Sequence, residues 1–291
     1  MNPVSLALAG LIPFGVVLAL VGIWRAACGR SAPGWLWAML LVAGFATAFR
    51  WIDGRWPGWP LNTASEWTVL AAALCGLFMA AIGGRLPPWA FALLCGLLSA
   101  GAMVASLQSQ VRGSWDTGKL IGQLELAGSM GAVTAWALAL LDLRQKSLTT
   151  FGLLAILGLF AGLVQLMSGS VSLGQWSFAL AGGSVALGIA GIFLTGSHRA
   201  AVGVFVPILV VLLFRGVHLS ELRLAHAVLL ASAPVVALLV EHFLARRRGS
   251  AAAVSIRVIG FLLPMLAAVG WALPEFLKTI DSSAGSGSYG Y

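Results

Sequence analysis

Ten long apolar runs, separated by short polar breaks, pattern the chain at about 4–24, 34–50, 67–83, 88–107, 120–141, 149–168, 174–195, 201–214, 224–244 and 254–274. A helix needs about 20 mostly apolar residues to cross the ~30 Å hydrocarbon core of a bilayer. The pattern therefore predicts an all-α fold, a polytopic transmembrane bundle of about ten spans. The eighth run is short, and Pro207 offers a place for it to break, because proline removes an N–H and clashes with the preceding turn. The tenth carries Arg257 near its start. One integral membrane domain over 1–281 is expected, followed by a disordered Gly/Ser-rich tail over 282–291.

Composition narrows the class. Of 291 residues 60% are hydrophobic and only 9% charged, with a mean hydropathy of +0.98. Charged residues make up about a quarter of an ordinary soluble domain, so this chain is not one. The net charge of +8 does not point to nucleic acid, because the basic residues are scattered in ones and twos between apolar runs. In such chains Lys and Arg face anionic lipid from the loops. The first run lacks a charged leader, and Arg25 stands where a cleavage site would need small residues, so it reads as a retained span. Cys28, Cys75 and Cys95 form no CxxC pair and read as small core residues.

The 17 Lys and Arg residues divide ten to seven between the two sets of alternating breaks, and the Arg246–Arg248 triplet lies on the richer side. The positive-inside rule puts that side in the cytoplasm, with both termini outside an inner (cytoplasmic) membrane. Most acids then fall on the outer side, among them Asp53, Glu66, Asp116, Glu125, Glu221 and Glu275, so the working surface is expected there. Gly158 and Gly162, four apart, mark a close helix–helix approach.

The densest polar stretch runs from Arg50 to Trp67, RWIDGRWPGWPLNTASEW. Trp51, Trp56, Trp59 and Trp67 suit the headgroup zone, where the ring is buried and the N–H stays wet. Thr63-x-x-Glu66 before an apolar run reads as a capping box. Glu125, just inside the fifth run, reads either as a tethered interfacial carboxylate or as a site residue. His226 enters the ninth run and His218 precedes it; each reads as an interfacial hydrogen-bonding group or as a metal ligand. Arg50 and Arg215 end runs on the outer side, where they either snorkel to headgroups or bind an anion. His198, Glu241 and His242 read as solvated run ends. No P-loop, G-x-S-x-G, H-E-x-x-H or CxxCH motif occurs.

Three ordered pieces resemble the CcsA/ResC-type cytochrome c assembly proteins, which handle haem at the outer membrane face. The first is Arg50-Trp51, Gly54-Arg55, Pro57 or Pro60, Asn62 and Glu66-Trp67. The second is Leu107-Gln108-Ser109 followed by Trp115, and the third is Gly216-Val217 with Leu224-x-His226. The family's W-G-x-x-W-x-W-D loop is missing, and Lys119 stands where a ligand His is expected. The resemblance implies haem as cofactor, with His226 as an iron ligand and His218 as a candidate second. It also implies Arg50 or Arg215 as propionate partners, with apocytochrome c or another membrane assembly subunit as partner. Trp51, Trp56, Trp59, Asn62, Glu66, Trp115, Lys119 and Glu125 complete the expected outer-face set. The residues by themselves also admit a small-solute transporter using Glu125 and Gln165, or a non-catalytic subunit that docks a partner through its Trp-rich face.

Overall fold

The computed structural model describes residues 3–142, 147–245 and 250–285. It contains α1 (Pro3–Cys28), α2 (Gly34–Ile52), α3 (Ala64–Phe78), α4 (Pro88–Ser106), α5 (Gln108–Gly113) and α6 (Thr117–Asp142). Then follow α7 (Ser147–Met167), α8 (Val171–Phe193), α9 (Arg199–Leu219), α10 (Leu224–Val240) and α11 (Ser250–Gly285). π-helical turns at Met79–Gly83 and Glu241–Ala245 extend α3 and α10. No strand occurs among the described residues. All the helices except the short α5 are long and apolar enough to cross a membrane, and their bounds follow the ten apolar runs closely. The chain is a multi-pass helical membrane protein.

α9 is the hub. Its residues from Ala200 to Gly216 are all buried, and it packs against α2, α3, α4, α6, α7, α8 and α10. Of its most apolar window 94% is buried, against 22% for α1 at the edge. The expected break at Pro207 does not occur: α9 runs 21 residues with Pro207 inside it. Neighbours on every side hold the turn, as packed helices do around proline in membranes.

Lipid is as apolar as leucine, so burial alone does not drive these helices together; close packing and side-chain hydrogen bonds do. α7 and α8 meet at the expected glycines. A Cβ on Gly158 would lie 3.0 Å from the Ala181 backbone nitrogen, so a side chain there would push the two helices a few tenths of an ångström apart. Gln165 on α7 donates to the Leu212 carbonyl of α9 at 3.0 Å and accepts from Ser177 of α8 at 2.8 Å. Thr134 on α6 donates to the Ala231 carbonyl of α10 at 2.9 Å.

The bundle has two polar ends. One carries the 53–63 loop, α5 and the α9–α10 turn. At the other, the Ala32 N–H donates to the Thr195 carbonyl and the Thr195 N–H to the Arg30 carbonyl, joining the α1–α2 and α8–α9 turns, and Arg199 donates to the Leu86 carbonyl at 2.9 Å. There too, His198 approaches Asp142 at 3.5 Å beneath Trp37 and Phe151. Glu241, expected as a solvated run end, is instead in a two-point pair with Arg257, at 2.6 and 2.7 Å, with both side chains nearly buried. The antiparallel α10–α11 hairpin brings these opposite charges to one depth. α11 continues to Gly285, taking in the first residues of the expected tail; residues 286–291 lie outside the described residues, as does the Arg246–Arg248 triplet. Cys75 and Cys95 are buried as expected, whereas Cys28 is exposed.

Candidate functional site

The three sequence pieces converge on the tryptophan-loop end. The loop is held by the capping box: Thr63 Oγ1 accepts from the Glu66 N–H at 3.2 Å, and the Glu66 carboxylate accepts from the Thr63 and Asn62 N–H groups at 2.9 and 2.8 Å. Glu66 is 2% exposed and also meets Arg55 at 3.3 Å. Together these bonds fix the direction in which α3 leaves the loop. Arg50 donates to the Gly54 carbonyl and is itself exposed. Trp51, Trp56 and Trp59 point outward, Trp59 being 87% exposed.

Under the loop lies Arg215. It is only 6% exposed, so it is not the snorkelling run end that its position in the sequence allows. Its Nη1 donates to Thr68 Oγ1 at 3.1 Å and its Nη2 to Ser65 Oγ at 3.3 Å. Thr68 also meets Ser106 Oγ at 3.2 Å, so one cluster joins α9, α3 and α4. Ser65 hydrogen-bonds the Asp53 side chain as well. Burial pushes the Asp53 carboxyl above its ordinary value; the nearby Arg215 and Arg55 charges and the Ser65 bond oppose that shift without cancelling it. The Nε of Arg215 has no hydrogen-bond partner. Ser65, Thr68 and Ser106 were not singled out from the sequence, and Asp53 was named only among the outer-side acids. The signal was Ser65 and Thr68, three apart on one face of the helix that the capping box opens.

A second group surrounds His218. Its Nε2 lies 3.1 Å from Gln123 Oε1, and its ring packs 4.9 Å from that of Trp115. Lys119 sits 5.7 Å from the centre of the same Trp115 ring, and Asp116 caps α6 by accepting from the Lys119 N–H at 2.7 Å. The second and third sequence pieces thus touch through Trp115 and His218.

His226 stands apart from both groups, between α10 and α11. It is 2% exposed, and neither ring nitrogen has a hydrogen-bond partner. Trp271 of α11 meets it edge-on at 5.5 Å, and the Arg223–Glu275 ion pair, 2.6 Å long, links the same two helices. An imidazole in an apolar interior usually has at least one partner, since each buried polar atom left unpaired costs about 1–3 kcal/mol. Nothing in the sequence around His226 points to Trp271, which lies on a later helix.

Comparison with family models, curated proteins and solved structures yields no match for this chain. No group of three or more His, Cys, Asp or Glu side chains arranged to hold a metal ion occurs among the described residues. Glu125 and Gln165 do not line one path: Gln165 is fully buried within its own bonds, and Glu125 faces outward from a groove between α4 and α6.

Proposed function

We propose that this chain is a divergent haem-handling membrane protein of the cytochrome c assembly type, working at the outer face. The single observation that carries the reading is His226. A buried imidazole with two unpaired nitrogens has the electron pair that an iron ligand needs. Trp271 meets the same ring edge-on at 5.5 Å, and the Arg223–Glu275 pair links the same two helices. The three family-like pieces lie at one end of the bundle, where Trp115 and His218 meet, and this supports the same reading, although His226 stands apart from that contact.

The residues fit haem in part. His226 would be the residue to hold the iron, since neither of its ring nitrogens has a protein partner, whereas His218 is engaged by Gln123 and packed on Trp115. Arg50, exposed beside the loop, would be the more accessible partner for a propionate, since Arg215 is committed to Ser65 and Thr68. When bound, haem supplies the iron and the porphyrin chemistry, and the protein's part is ligation, orientation and exclusion of water. The exposed Trp51, Trp56 and Trp59 anchor the loop in the headgroup zone, beside which an apocytochrome would dock.

The test is purification with haem supplied. A Soret band in the wild type that is lost in His226→Ala supports the reading; no band in the wild type removes it. The exposed loop favours a second reading, a non-catalytic subunit that docks a partner protein. A co-purifying protein that is lost on substituting Trp56 and Trp59, without haem, selects that one.

A further inference from the structure

Glu125 is an exposed carboxylate on the membrane-facing side of the bundle, and it has no hydrogen-bond or ion-pair partner among the described residues. α6 starts at Thr117, so Glu125 lies eight residues into the helix, roughly 12 Å along its axis and roughly 9 Å below Lys119. That is deeper than the position of the run suggested. A carboxylate at this depth is costly in lipid unless something meets it. It sits in a groove of about 560 Å³ between α4 and α6. The floor is unusually low because Gly96 and Gly128 meet there: a Cβ on Gly96 would lie 2.7 Å from the Gly128 carbonyl oxygen and 3.0 Å from Ala132 Cβ. Leu97, 73% exposed, forms one wall.

We infer that this groove docks a transmembrane helix of a different protein, one that carries a basic side chain in the outer third of its span and places it on Glu125. Charge complementarity selects this occupant. A lipid amine rides at the headgroup level and does not reach a carboxylate this far down. A second copy of this chain fails on two counts. A two-fold contact would set Glu125 against Glu125. In addition, the basic residues described here lie at helix ends, in loops, inside the bundle (Arg215 and Arg257) or, for Lys278, past the Glu275 that pairs with Arg223 at the α9–α10 turn, so none faces lipid at this depth. Close approach of the incoming backbone is what a glycine-floored groove permits.

The experiment uses the full chain in phosphatidylcholine nanodiscs and two labelled transmembrane peptides of Leu and Ala. One carries a single Lys in its outer third; the other has norleucine there. Energy transfer should show the Lys peptide binding about tenfold more tightly than its partner, a preference that Glu125→Gln removes. Leu97→Trp fills the groove and leaves the carboxylate in place; it should weaken both peptides. Equal affinity of the wild type for the two peptides, or a Lys preference that survives Glu125→Gln, overturns the inference. So does undiminished binding to a folded Leu97→Trp variant, which would place the helix elsewhere. Competition by added phosphatidylethanolamine would make a lipid amine the occupant and overturn it likewise.

Discussion

Arg215 donates to Thr68 at 3.1 Å across 147 positions of sequence, and this bond ties the central helix to the one that leaves the tryptophan loop. A buried guanidinium tolerates few losses, because removing an acceptor strands a donor where water does not reach it. Thr68→Val keeps the shape and deletes that acceptor. It is expected to lower unfolding stability in detergent by about 1–3 kcal/mol, measured by reversible denaturation. A change no larger than that of Thr279→Val, at an exposed position, would show the bond to be incidental.

Asp53 gives the same cluster a pH dependence. Burial raises its carboxyl above the ordinary value, so the folded state holds a proton that the unfolded chain has already released. Its stabilising contribution is full below the ordinary carboxylate value and is lost as pH rises through the raised one. Asp53→Asn imitates the protonated form. The variant should therefore match the wild type in thermal midpoint near pH 3.5, at or below the ordinary carboxylate range, and exceed it increasingly as pH rises toward neutrality. A difference that does not change with pH would contradict this.

At the opposite end, Arg257 and Glu241 form the two-point pair that closes the α10–α11 hairpin. Breaking one side leaves a nearly buried charge alone, so Glu241→Gln is expected to cost about 3 kcal/mol. The exchange Glu241→Arg with Arg257→Glu should recover most of that loss, as read in the same denaturation assay. A swap as unstable as the single variant would assign the effect to packing.

The spans were legible because a bilayer imposes a length, and each of the ten apolar runs falls on one span, though the eighth and tenth stop short of where their helices end. The capping box was legible too, since Thr63 and Glu66 act on the backbone between them. What the pattern could not carry was which face meets which neighbour. Arg215 stood at the end of an apolar run and looked like a snorkelling residue, but its acceptors lie on α3, far away in sequence. The eighth run looked short because Arg199 and Arg215 bound it, and Pro207 looked like a break; both readings ignored the helices that surround α9. The place of His226 near a helix start fits an interfacial group or a metal ligand alike, and its burial against Trp271 of the last helix is not visible in the local sequence. The Glu241–Arg257 pair left a usable signal, opposite charges at matched depth in consecutive spans.

The account turns on the unpaired imidazole of His226, and a haem titration followed in the Soret region tests it most directly. Wild type and His218→Ala should saturate with similar affinity, while His226→Ala should lose at least tenfold or fail to bind, with its helical content unchanged by circular dichroism. Equal titrations for wild type and His226→Ala, or none at all for the wild type, would contradict the assignment.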